Sequence, residues 1–326
     1  MAEKKCYNTA MFAKIRHKRA ICFTIALIIL LGLASFAVSP GGSEVYDIVS
    51  TKKRIEDIRS EAPGSIDVLF AGNSLVFKDI SPLQIWDLTG ITSYDLSKGA
   101  MRLCDQCAMI INACRTQTPK LVVLEANTMF TEASPYKDDF ALPTNLIEKI
   151  LPIFHYHIFY KAWHIFDDGE GLTRLRKGYM PSYGINEYFG SYDYMEEEAE
   201  PQEIKRLNRE YLDTIADYCR KNDIELLVAA FPSPANYDRE THRAIQDWAD
   251  EYGVEFVDLN LKLDEVGIDW ATDTNDAGDH MNFEGSMKVS EYMADYLKEH
   301  YELEDHRDDE SYDSWNKDYA ESGLYQ

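Results

Sequence analysis

Ser74, in the turn Gly72-Asn73-Ser74-Leu75, and His280, in the stretch Asp279-His280-Met281-Asn282, are the residues whose types could carry a reaction. A serine hydroxyl is a weak nucleophile and needs a base within hydrogen-bond reach. A neutral imidazole can take the serine proton and return it to a leaving group. A carboxylate must then hold the other ring nitrogen. Asp276 stands four residues before His280, so a loop turn can fold it back beneath the ring. Asp279 is adjacent, which makes a direct side-chain bond awkward, and Asp273 lies further off. Asp276 is favoured, with Asp279 open as the alternative. Acyl transfer also develops an oxyanion, and removing one donor to it typically costs about 3 to 4 kcal/mol. The backbone N–H groups of Ser74 and Gly99 and the side-chain amide of Asn127 are the candidate donors.

These residues need elements that bring them to one rim. Ser65 to Ala71 reads as a buried strand, and Ile91 to Leu96, Lys120 to Ala126, Ile224 to Ala230 and Glu255 to Leu259 read as four more. Helical patterns alternate with them. Ser81-Pro82 opens one through about Leu88, with serine as N-cap and proline in the first turn. Others cover Leu103–Thr116, Pro201–Lys221, Arg239–Tyr252 and Glu284–Tyr301. This alternation predicts an α/β fold, a flavodoxin-like three-layer αβα sandwich with about five parallel strands. In such sheets the site lies beyond the carboxyl ends of the strands. Ser74, Gly99, Asn127 and the Pro232–Asn236 loop fall there, and His280 lies in a loop that could reach it.

The N-terminus has a different character. Residues 1–19 carry Lys4, Lys5, Lys14, Arg16, Lys18 and Arg19, and residues 20–38 are free of charge. A run of roughly 19 apolar residues is about enough to cross the hydrocarbon core as a helix. Basic residues before it predict a single-pass anchor with a cytoplasmic N-terminus and the rest outside the cell. A cleaved signal peptide, with Ser35-Phe36-Ala37 at the cleavage site, is the rival reading. A linker and helix over 39–64 join this anchor to the domain at 65–301, and the acidic segment 302–326 reads as a loosely held tail. The net charge of −24 argues against a nucleic-acid partner, which needs a basic face. Cys104 and Cys107 resemble half a zinc site, but no second half follows. They read instead as small buried residues on one amphipathic helix. No metal or other cofactor is expected.

Residues 128–200 interrupt the alternation as an aromatic-rich insertion, with a helix near Asn145–Ile165. His157 and Trp163 in it are candidate substrate contacts, since aromatic faces can stack on sugar rings, although such residues more often serve packing. His155 and His157 lack the spacing of a metal pair. Arg174, Arg176 and Lys177 read as a solvated basic turn.

The order of the blocks resembles the SGNH/GDSL hydrolase superfamily. Gly72-Asn73-Ser74-Leu75 is similar to its first block, with Asn73 where the eponymous motif has Asp. Tyr94-Asp95-Leu96-Ser97-Lys98-Gly99 is similar to the second, and Leu124-Glu125-Ala126-Asn127 to the third without its usual Gly. Asp276-Ala277-Gly278-Asp279-His280 resembles the last, with the acid-to-histidine spacing lengthened by one. The resemblance implies Ser74 as nucleophile, Gly99 and Asn127 in the oxyanion hole, His280 as base, and neither metal nor nucleotide. The anchored layout resembles bacterial envelope members, relatives of alginate O-acetylation and teichoic-acid D-alanylation proteins. They imply acyl transfer to or from a cell-surface glycan or polymer, with an integral membrane acyltransferase as a further partner. A non-catalytic glycan-binding or accessory module is the alternative.

Overall fold

The structure is a computed structural model that describes residues 18–33, 48–99, 101–130, 170–196 and 200–325. Five short strands carry the fold: β1 Val68–Ala71, β2 Ser93–Asp95, β3 Leu121–Glu125, β4 Glu225–Ala230 and β5 Glu255–Asp258. All pair in parallel, in the order β2-β1-β3-β4-β5. β1 and β3 are buried along their whole length, as parallel strands covered on both faces must be. The five expected strands are the five observed.

Eight helices matter for the site: α1 Ile48–Ser60, α2 Ser74–Asp79, α3 Pro82–Thr89, α4 Leu103–Ala113, α5 Arg206–Lys221, α6 Arg239–Tyr252, α7 Phe283–His300 and α8 Asp313–Glu321. They pack in separate groups. α7 lies against α2 and α3, whereas α4 lies against α5. Ser81 caps α3 as its position before Pro82 predicts, and Gly90 ends it in the left-handed region. α2 is unannounced by the sequence, because the turn at Gly72 runs directly into it.

The last 25 residues are not the loosely held tail expected of their composition. α8 places Trp315 against Trp86 with ring centroids 5.4 Å apart, and Trp315 is buried. His306 Nε2 lies 2.8 Å from Asp67 Oδ2, and the Tyr325 hydroxyl lies 2.9 Å from Ser81 Oγ. Nor is Lys177 part of a solvated basic turn. It is buried, pairs with Glu61, just after α1, at 2.8 Å and with Asp318 of α8 at 2.6 Å, and stands over the Trp315 ring. A buried ammonium needs such partners. Few aliphatics are present to signal this packing, and aromatic rings supply the area. Truncating a buried aromatic typically costs about 3–5 kcal/mol. Trp315→Ala is therefore expected to lower unfolding free energy in urea by about that amount. A loss under about 1 kcal/mol would detach the tail from the folded unit.

Residues 18–33 are helical and belong to a unit separate from the one formed by Ser50–Ala133 and Asp167–Gln326. Ile21, Phe23, Ile28, Leu30 and Leu33 on this helix are exposed. Among the described residues no helix is long and apolar enough to cross a membrane. Residues 34–38 of the expected anchor lie outside the described residues, as do the expected helix near Asn145–Ile165 and the candidates His157 and Trp163.

Residues 179–192, the described part of the insertion nearest the site, form a strap. Met180 N donates to Phe77 O, Phe283 N to Ser182 O, Asn186 N to Thr274 O, Ala277 N to Asn186 O and Tyr188 N to Trp270 O. The strap thus lies along the loop that carries His280. Cys107 and Cys219 are buried free thiols, which fits the packing role expected of Cys107.

Candidate active site

β1 ends at Ala71, and Gly72 turns the chain toward α2. A Cβ at Gly72 would stand 2.3 Å from Val76 Cγ2 and 2.5 Å from Glu125 Cβ, so only glycine fits between the two strand ends. Asn73 caps α2, its Oδ1 accepting from Leu75 N at 2.9 Å. Ser74 is the first residue of that helix and half-buried. A backbone N–H in this position has no intrahelical partner and can serve an oxyanion.

The histidine loop is closed by a bridge between Thr274 and Met281. Ala277 and Gly278 both have positive φ, 59° and 90°, which turns the chain sharply enough to bring Asp276 back under His280. Asp276 Oδ1 accepts from His280 N at 2.7 Å, and Asp276 Oδ2 lies 2.7 Å from His280 Nδ1. Asp279 Oδ2 is further from the same nitrogen, at 3.7 Å. The ring is therefore held by Asp276, with Nδ1–H as donor and Nε2 left for a substrate-side proton. Asp273 is engaged elsewhere, by Lys288 Nζ at 2.6 Å and Asp269 N at 2.7 Å.

Two connections tie this loop to the serine turn. Asp79, the last residue of α2, accepts from Met281 N at 3.0 Å. On the other side Asn73 Nδ2 donates to Asn127 Oδ1 at 2.9 Å, Asn127 Nδ2 donates to Asn236 Oδ1 at 3.4 Å, and Asn236 Nδ2 donates to Asp279 Oδ1 at 2.6 Å. Serine turn, candidate oxyanion donor and histidine loop thus share one network. Asn236 is the member that the sequence did not single out, since an asparagine in a Pro-Ser-Pro-Ala-Asn loop reads as a turn residue. Its loop is fixed by Ser233, whose N–H donates to Asn260 Oδ1 at 2.8 Å and whose hydroxyl donates to Asp279 O at 2.8 Å.

Among the described residues Ser74 Oγ has no hydrogen-bond partner, so the serine–histidine bond of a working triad is not formed here. Such bonds are often long before substrate binds and tighten in the complex. Gly99 is exposed in the loop after β2, and an added Cβ would meet open space. Of the three expected oxyanion donors, Asn127 is the one bonded to the serine turn. Asp276, Asp279 and His280 also offer ligand atoms within 4.8 Å of one another, the one such cluster among the described residues. A cation there would compete with Asp276 for Nδ1.

The electrostatics beneath the site come from buried acids. Glu125 ends β3 and is fully buried, its Oε1 accepting from Asn127 N at 2.7 Å and from the Tyr237 hydroxyl, while Oε2 has no hydrogen-bond partner among the described residues. Burial pushes its carboxyl up to about 7, against the opposing pull of those donors. Burial likewise holds Asp79 well above the usual carboxylate range. Lys78, one turn after Ser74, bonds Ser182 Oγ at 2.6 Å, and burial lowers its amine while Asp276 opposes that.

Glu125 has a consequence for stability. A carboxyl whose folded pKa is raised is fully accommodated below its unfolded value near 4.5, and that stability is lost as pH rises toward about 7. The loss amounts to about 3 kcal/mol. Glu125→Gln keeps an acceptor for Asn127 N and removes the titration. Its unfolding free energy is expected to fall less between pH 4.5 and pH 8 than that of the parent. Parallel pH profiles for the two proteins would show that Glu125 does not titrate in this range.

No family model and no curated protein matches the chain. Among solved structures it is similar to the lipase/acylhydrolase from Enterococcus faecalis, at 11% identity and a TM-score of 0.39, over 73% of this chain and 98% of that one. It is similar also to a GDSL-like lipase from Bacteroides thetaiotaomicron VPI-5482, at 12% identity and a TM-score of 0.37, over 77% of this chain and 98% of that one. At TM-scores below 0.5 neither likeness bears on what this site does.

Proposed function

We propose that the chain is a serine esterase or O-acyltransferase of the SGNH/GDSL kind, acting on acyl groups of a cell-envelope glycan or related polymer. The observation that carries this reading is His280, clamped at Nδ1 by Asp276 and joined to the Ser74 turn through Asn236, Asn127 and Asn73. In the reaction Ser74 Oγ attacks the acyl carbonyl and its proton passes to His280 Nε2. The developing oxyanion is met by Ser74 N and the Asn127 side chain. Nε2 then protonates the departing sugar oxygen, leaving an acyl-serine. Water or a second hydroxyl, deprotonated by the same nitrogen, then attacks the acyl carbon, the bond to Ser74 Oγ breaks, and His280 returns the proton to that oxygen. The basic cluster of residues 1–19 and the apolar run 20–38 support a single-pass anchor that places the domain outside the cell, within reach of an integral membrane acyltransferase.

A second reading is a non-catalytic glycan-binding module, and the Ser74 hydroxyl, without a hydrogen-bond partner among the described residues, favours it. Covalent labelling separates the two. A fluorophosphonate is expected to modify the full-length protein at Ser74, identified by peptide mass. Absence of labelling at a fresh, folded sample would leave the module reading in place.

A further inference from the structure

The strap carries a row of exposed rings beside the histidine loop. Tyr183 is 65% exposed, Phe189 84% and Tyr192 56%. Two of these rings are backed by another. Tyr183 stacks on Phe283, three residues after His280, with centroids 5.5 Å apart and planes inclined by 29°. Tyr192 stacks on Tyr188 at 6.1 Å and 16°, and Tyr188 in turn meets the edge of Trp270. Each backed ring thus combines one stacking contact with more than half of its residue surface exposed. The backbone beneath them is pinned to residues 270–283 by the hydrogen bonds of the strap. A polymer whose acyl group reaches Ser74 has this strap alongside, because Ser182 contacts Lys78 one turn after the serine.

The chemistry of the surface selects the occupant. From Tyr179 to Glu196 there is no lysine or arginine, whereas Glu187, Asp193 and Glu196 are acidic. Anionic lipid surfaces and polyanions attract basic segments and are repelled by this one. Open phenol faces with polar rims suit a pyranose ring, which presents an apolar face of C–H groups and an equator of hydroxyls. Fixed rings also lose little freedom when a ligand stacks on them.

We infer that Tyr183 and Tyr192 form a stacking platform for a glycan chain free of acidic groups, beside the candidate active site. The inference rests on the esterase reading for its substrate and deepens it by naming the class of polymer.

The test uses the full-length protein in detergent micelles and three esters: p-nitrophenyl acetate, an O-acetylated xylo-oligosaccharide, and an O-acetylated oligogalacturonate. The neutral oligosaccharide is expected to be the better glycan substrate. Tyr183→Ala and Tyr192→Ala are each expected to lower the ratio of kcat/KM on the xylo-oligosaccharide to that on p-nitrophenyl acetate by roughly tenfold. Tyr→Phe at either position is expected to keep the ratio. An unchanged ratio in both alanine variants, or equal turnover of the acidic oligosaccharide, overturns the platform. Failure of the parent protein to cleave any of the three defeats the esterase reading instead. The platform is then judged by gel retardation in acetylated xylan. Retardation lost in both alanine variants supports it, and no retardation, or loss of binding to phosphatidylcholine vesicles in its place, overturns it.

Discussion

Replacing Ser74 with alanine is expected to lower kcat on a short-chain p-nitrophenyl ester by at least about 10⁴-fold, with the protein still folded. Ser74 is half-buried at the head of α2 and its hydroxyl bonds no other group among the described residues, so its removal leaves the scaffold intact. Asn73 and Asn127 keep their bond, and Asp79 keeps its hold on Met281. The variant should therefore still bind substrate and offer the oxyanion donors, which explains why a small residual rate over water is expected. Equal rates for parent and variant would remove Ser74 from the chemistry.

Asp276→Asn is expected to reduce kcat by about 10⁴-fold. An amide in this place can present an N–H where His280 Nδ1–H needs an acceptor, which favours the wrong tautomer, with the ring proton on Nε2 and no lone pair there for the serine proton. Asp279→Asn tests the alternative. Asp279 lies 3.7 Å from Nδ1 and its Oδ1 is occupied by Asn236 at 2.6 Å, so it acts on loop position more than on the ring. A loss within about tenfold is expected there. A larger loss in the Asp279 variant than in the Asp276 variant would exchange the two roles.

Much of the sheet was legible because each parallel strand is a short apolar run between turn residues, and these runs have few other uses. Leu121–Glu125 and Glu225–Ala230 stand within a residue or two of their expected bounds. The close approach of Asp276 to His280 was legible because a loop turn can return a carboxylate four residues back beneath the ring. Other parts were hidden for physical reasons. The burial of Glu125 rests on its close contact with Gly72, which is distant in the chain. Asn236 gains its role from partners over 40 residues away in Asp279 and over 100 away in Asn127, which local pattern does not encode. Residues 302–326 are polar along most of their length, so their attachment rests on single residues such as Trp315 and His306. Lys177 gives no sign of burial until Glu61 and Asp318 are seen around it.

The Lys177 junction ties together segments that lie far apart in the chain. Glu61, the residue that follows α1, is clamped to Lys177, and Lys177 is clamped to Asp318 of α8. One buried cation thus fastens the end of the first described helix of the domain to its last, so losing that single charge would free both together.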